Sequence, residues 1–334
     1  MKISEKFDKC ERIVIVRTDK IGDMVLTLPL ARALKEYNSK FKVSIIADSY
    51  TESLLNNDYV DSYYFVDKHP MGINGIFRDN KFDASFFPMP KFNEVRAAIV
   101  NGIPLRIGSA YRFYSILFNH RVRDHRKISE YHEAEYNVRM LVSITGIKHA
   151  VKPLPPGISD DLTMKMQGFI NSFKVNSENK IIAVHPASGG SAKDLPLDVT
   201  LEFIKVISEN RNYIVCLTGV DSEKDICKYI SDSCPKTLNL CGKFNLSEMT
   251  AFLNNIDLLI ANSTGVLHIA SSLGTPVIGF YPNSPHISAR RWGPLWSDSI
   301  VISPPQSGNT INDDMSSIRK EDIIEAVKKI LDAK

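Results

Sequence analysis

The chain has 334 residues, 43% hydrophobic and 24% charged, with a formal net charge of +3. This composition is that of a globular protein long enough for two domains, and it excludes a disordered chain and the strongly basic balance of a dedicated nucleic-acid binder. No run of eighteen apolar residues occurs, and Met1–Cys10 lacks the apolar centre of a secretory signal, so a cytoplasmic location is expected.

In chain order, the β-branched run Ile13–Val16 predicts a buried strand, 23–37 a helix with Met24, Leu28, Ala31, Leu34 and Tyr37 on one face, and Val43–Ile46 a second strand. Pro29 marks a first turn or a kink. Strand, helix, strand within about thirty-five residues is a βαβ unit. The proline-rich Val151–Gly157 reads as a boundary, which divides the chain into domains at 1–160 and 161–334. The rhythm then resumes, with strands at Ile181–Val184, Tyr213–Leu217, Ile256–Ile260 and Pro276–Phe280, and helices over 198–210, 222–233, 247–254 and 264–273. A last helix, 320–332, has a single apolar face that either domain can receive, including the N-terminal one.

Three loops at strand ends are suited to chemistry. Arg17-Thr-Asp-Lys-Ile-Gly-Asp23 follows the first strand, at the sheet edge where open α/β folds bind ligands. Asp23 there is a helix cap or a functional carboxylate, and Asp19 a partner for Lys20 or Arg17. His185-Pro-Ala-Ser-Gly-Gly-Ser-Ala-Lys193 follows another strand and reads as an anion cradle. Amides freed by Gly189 and Gly190, hydroxyls of Ser188 and Ser191, and the Lys193 cation suit phosphate oxygens. Ala261-Asn-Ser-Thr-Gly-Val-Leu-His268 opens a small-residue helix whose N-terminus, with Ser263, Thr264 and Gly265, makes a second anion site; His268 lies one turn on. Glu223, past the Tyr213–Leu217 strand, is a candidate acceptor of ribose hydroxyls or an exposed helix-start acid. Between 106 and 126 five arginines, Arg106, Arg112, Arg121, Arg123 and Arg126, stand with His120 and His125 against the single acid Asp124, a landing site for an anionic partner or a solvated basic face.

Metal binding has little support. Cys10, Cys216, Cys227, Cys234 and Cys241 include no Cys-x-x-Cys pair and are odd in number, which points to reduced thiols. His132-Glu-Ala-Glu135 lacks a second histidine, no Gly-x-Ser-x-Gly occurs, and Asp160-Asp161 and Asp313-Asp314 read as solvated.

Three ordered blocks, Val16–Asp23, His185–Lys193 and Asn262–Ala270 with Leu273–Pro276, together resemble glycosyltransferase family nine, the family of ADP-heptose:lipopolysaccharide heptosyltransferases. His132–Asn137 is also similar to a segment common there. The resemblance implies a GT-B architecture, two Rossmann-like domains facing a central cleft, with acceptor on the N-terminal half and nucleotide sugar on the C-terminal half. It implies inverting transfer with Asp23 as general base and Lys193 on the diphosphate. Thr264, Gly265 and His268 match the donor segment and Glu223 the ribose-binding acid. It implies no metal and no cofactor beyond the nucleotide-sugar substrate, ADP-heptose. The partner it implies is a lipopolysaccharide core lipid at the inner face of the inner membrane, which the enzyme would meet peripherally. Acceptor contacts are expected at Arg17, Lys20, Arg112, Arg121, Arg123 and His132. Some family members carry Asp-Thr-Gly where this chain has Ser263-Thr-Gly265, a change that bears on the donor sugar. The competing readings are a relative using another nucleotide sugar, a sugar-nucleotide 2-epimerase, and a non-catalytic binding module.

Overall fold

A computed structural model of the chain describes residues 2–174, 176–306 and 311–332. The chain forms two compact units, Met1–Gly157 and Ile158–Lys334. In the first, β1 (Arg12–Val16), β2 (Lys42–Ala47), β3 (Ser62–Phe65), β4 (Ala84–Phe87), β5 (Leu105–Ser109) and β6 (His120–Val122) form one sheet in the order β3-β2-β1-β4-β5-β6. All of its strand pairs are parallel. Helices must therefore cover both faces, which is why β1 reads Arg-Ile-Val-Ile-Val with its last four residues fully buried.

The single helix expected over 23–37 is two, Ile21–Val25 and Leu28–Tyr37. Pro29 has no N–H to give the Val25 carbonyl and its ring would press on it, so the chain breaks at Leu26-Thr27. Thr27 stitches the break by donating its hydroxyl to the Asp23 carbonyl at 2.8 Å. The short first helix is what sets Asp23 at the sheet edge.

The second unit repeats the plan with β7 (Lys180–His185), β8 (Tyr213–Leu217), β9 (Leu238–Asn239), β10 (Leu258–Asn262), β11 (Val277–Phe280) and β12 (Ser299–Ile302). Their order, β12-β11-β10-β7-β8-β9, is the first unit's order counted from the other edge. Each unit is thus a Rossmann-like sheet, with its strand order reversing beside the first strand of that unit. The last helix, Lys320–Asp332, packs into the core of this second unit. Its Ile323, Val327 and Leu331 share one core with Phe203, Ile204 and Ile207 of the helix Leu197–Ser208.

Phe203 is fully buried in that core. Phe203→Ala is expected to lower the stability of the second unit by about 3–5 kcal/mol in urea unfolding. A loss below about 1 kcal/mol would contradict this packing.

Candidate active site

In the first unit the loop after β1 folds around one guanidinium. Arg17 is 1% exposed. Its Nη2 donates to Asp23 Oδ1, and its Nε lies 2.5 Å from Asp19 Oδ1. Burial opposes the Arg17 cation, but the pull of Asp23, Asp19 and Glu133 outweighs it and its pKa is raised. Asp23 is not a helix cap, since it stands inside the first turn of Ile21–Val25 with Lys20 at the cap position. Burial pushes its carboxyl up to about 6, with Asp19 and Glu133 adding to the rise and Arg17 opposing it. A carboxylate so placed is ionised at neutral pH yet more basic than a solvated one.

The surroundings hold this arrangement in place. Glu133, fully buried at the start of the helix Glu133–Thr145, pairs with Arg126. Asn137 of the same helix accepts from Arg126 Nη2 at 3.0 Å and donates to the Leu26 carbonyl at 2.9 Å, so this helix is bonded to the break that follows Asp23. Tyr50 donates to the Asp19 carbonyl. Lys91 donates to the Thr18 carbonyl at 2.6 Å and hydroxyl at 2.7 Å.

The residues expected at the acceptor divide. Arg17 faces Asp19 and Asp23, which makes it a holder of the carboxylate and corrects its expected place as an open acceptor contact. His132 is buried as the cap of Glu133–Thr145, its Nδ1 accepting from the Ala134 amide at 3.2 Å. Lys20, Arg112, Arg121 and Arg123 are exposed. Arg106, by contrast, donates to the Leu117 and Ile103 carbonyls at 3.0 and 2.6 Å, so the basic stretch is partly structural.

In the second unit, loops from the three adjacent strands β10, β7 and β8 gather at the carboxyl edge, with Ala261 opposite His185 and Val184 opposite Leu217. Gly189 and Gly190 take φ of +56° and +77°, a left-handed pair that side chains resist. The serine hydroxyls bond within the loop. Ser188 Oγ accepts from the Ala192 amide at 3.2 Å and Ser191 Oγ donates to the Ser188 carbonyl at 2.7 Å, so they shape the loop. Asn262 clamps the loop at both ends, accepting from the Leu195 amide and donating to the Pro186 carbonyl, each at 2.9 Å. Glu223 lies beneath it, near Gly189. One oxygen accepts from the Val220 amide at 2.9 Å and lies 3.7 Å from His185 Nε2. Burial lowers the His185 pKa despite Glu223 and Asp194, leaving a neutral imidazole.

Thr264 caps the helix Gly265–Leu273, and its buried Oγ1 has no partner among the described residues. His268 is buried one turn on, and Ser263 is half-buried beside Tyr281. Lys193 is exposed and donates to the Asp313 carbonyl. Asp313 is not simply solvated, since it accepts the Asn283 and Ser284 amides at 2.8 Å. Among the described residues, no group of three or more His, Cys, Asp or Glu is placed to hold a metal ion, and no helix is long and apolar enough to cross a membrane.

The model of the family described as glycosyltransferase family 9 (heptosyltransferase) matches residues 88–321. The chain belongs to glycosyltransferase family 9. A candidate glycosyltransferase of Haemophilus influenzae is 31% identical to this family 9 enzyme over 88% of its chain and 90% of its own. The fold is similar to that of a family 9 glycosyltransferase from Veillonella parvula, with a TM-score of 0.84 at 20% identity, covering 97% of this chain and 98% of that one. It is similar too to the E. coli ADP-heptose lps heptosyltransferase II, with a TM-score of 0.78 at 20% identity, covering 97% and 99%.

Two residues of this family 9 enzyme that shape its loops had no assigned role in the sequence. Arg126 reads as one of a basic run, and Asn262 as one letter in a loop; only its amide-capable side chain at a strand end offered a signal. Asn262→Ala leaves the buried Leu195 amide and Pro186 carbonyl without their partner. It is expected to cost about 1–3 kcal/mol in thermal unfolding and to weaken nucleotide binding by calorimetry; unchanged values for both would refute the clamp.

Proposed function

We propose that this enzyme moves a heptose from ADP-heptose, with inversion, onto the inner-core lipopolysaccharide acceptor, Kdo-lipid A or heptosyl-Kdo-lipid A. It would work peripherally at the cytoplasmic face of the inner membrane, with the nucleotide sugar as substrate and no resident cofactor or metal. The observation that carries the reading is Asp23, a carboxylate buried beside Arg17 with its pKa raised to about 6. In a direct displacement the acceptor hydroxyl oxygen attacks the anomeric carbon while Asp23 takes its proton. The bond to the diphosphate breaks with its electron pair, and ADP leaves carrying the negative charge. Lys193, the Gly189 and Gly190 amides and the N-terminus of Gly265–Leu273 suit that charge, and Glu223 suits the ribose hydroxyls. The donor and acceptor classes are those named for the E. coli enzyme of similar fold. Ser263, standing where some relatives carry an aspartate, supports one alternative, the same chemistry with a different nucleotide sugar.

Release of ADP from ADP-heptose is expected only when a core-lipid acceptor is present, and Asp23→Asn is expected to slow it at least about a hundredfold while donor binding persists. Turnover without acceptor would indicate epimerase or hydrolase chemistry. A variant with near-native rate would remove Asp23 from the mechanism. Activity with another nucleotide sugar alone would move the donor assignment.

The pH dependence has a definite sign. Because the base acts ionised and burial raises its pKa to about 6, kcat/KM is expected to be level above that pH. Below it, kcat/KM should fall about tenfold per pH unit. A limb near pH 4 would mean that the reacting carboxylate is a solvated one.

A further inference from the structure

The outer face of the first unit around the helix Phe92–Val100 is both apolar and cationic. Its inner side chains, Val95, Ala97 and Ala98, are buried, while Phe92, Arg96 and Val100 follow one another at four-residue intervals along the exposed side. The turn 111–118 packs beside this helix. Phe113 stacks on Phe92 with ring centres 6.2 Å apart and planes at 20°.

Exposure here is extreme for such side chains. Phe113 is 91%, Ile116 78% and Val100 67% exposed. The turn itself is firmly held. Tyr114 and Phe118 are buried in the core, and the Ser115 and Leu117 amides donate to the Arg112 and Tyr114 carbonyls at 2.9 and 3.0 Å. An anchored turn that aims two large apolar side chains at water has the form of a contact surface.

Charge identifies what it contacts. Residues 88–128 carry eight Lys and Arg against two acids. Arg126 is taken up by Glu133 and Arg106 by backbone carbonyls, while Arg96, Arg112, Arg121, Arg123 and Lys127 stay exposed. Both acids are withdrawn: Glu94 is buried, and Asp124 is held by Arg139 through two bonds of 2.8 and 2.9 Å. Arg96 and Arg112 stand exposed among the apolar side chains. We infer that this face docks on an anionic lipid bilayer, with Phe113 and Ile116 entering the headgroup boundary and Arg96 and Arg112 on lipid phosphates. The purpose of the docking rests on the proposed lipid-linked acceptor. Lys91, at the start of the same helix, bonds to Thr18 in the loop that carries Asp23, so a docked bilayer delivers the acceptor's sugars at the edge where Asp23 lies.

The test is flotation of the full chain with vesicles of phosphatidylcholine alone and of phosphatidylcholine mixed with phosphatidylglycerol, at low and high salt. Flotation with the mixed vesicles only, weakened by salt, is expected. The double variant Phe113→Ser with Ile116→Ser is expected to bind at least about tenfold more weakly, with its circular dichroism and its ADP release on a delipidated, soluble acceptor unchanged. Arg96→Gln and Arg112→Gln are each expected to cost about fivefold in partition. Equal flotation with neutral vesicles, or native flotation of the double variant, would overturn the inference. So would a dimer of the wild type that Phe113→Ser dissociates, since the face would then belong to a second copy. Protein that floats as described but transfers no sugar defeats the proposed function and leaves this surface standing.

Discussion

The first unit is organised around a guanidinium taken out of water. Arg17 has no exposed side-chain surface, and its charge is met by Asp19 and Asp23, with Arg126 and Glu133 forming the next pair. Buried ion pairs add little net stability, because desolvation offsets most of their attraction, yet removing one partner costs about 3–5 kcal/mol. Such a cluster persists where it does something else. Here three carboxylates share two cations, and burial, aided by Asp19 and Glu133, raises the pKa of Asp23 while Arg17 holds it in one position. The break before Pro29, the Thr27 bond and the Asn137 clamp are the supports this position needs.

The second unit meets a different demand with the same sheet. Loops leaving adjacent parallel strands at their carboxyl ends are brought together by the strand order alone, which is why ligands of open α/β sheets collect there. The glycine pair supplies backbone donors, Asn262 fixes both ends of that loop, and the neutral His185 stands beside Glu223 under it. On the proposed reading these groups would face a nucleotide sugar. The first unit has instead a buried carboxylate of raised pKa and an exposed cationic, apolar face. The two units are thus alike in fold and opposite in chemistry.

Strands that are buried on both faces leave continuous apolar runs, so β1, β2, β7, β8, β10 and β11 were legible to within two residues at either end. The others were not. Ser62-Tyr-Tyr-Phe65 is half-exposed at a sheet edge, His120-Arg-Val122 is short and mostly polar, and Ala84-Ser-Phe-Phe87 is four residues between an aspartate and a proline. Asp23, Lys193 and Thr264 could be singled out because ordered motifs carry them, and Glu223 on a match of few residues; their roles belong to the proposed function. The burial of Arg17 could not be read, because an arginine among polar loop residues looks the same whether its partners are two carboxylates or an outside ligand. The intraloop bonds of the Ser188 and Ser191 hydroxyls could not be read for a similar reason: a loop's composition does not fix which way its side chains turn.

The carboxyl of Asp23 should be titrated directly, by carbon NMR of aspartate-labelled protein with Asp23→Asn to assign the signal. A midpoint close to 6 is expected, as burial beside Asp19 and Glu133 requires even with Arg17 in place. A midpoint near 4, the ordinary aspartate value, would show that Asp23 is solvated or fully neutralised by Arg17, and the general-base account built on its raised basicity would fail.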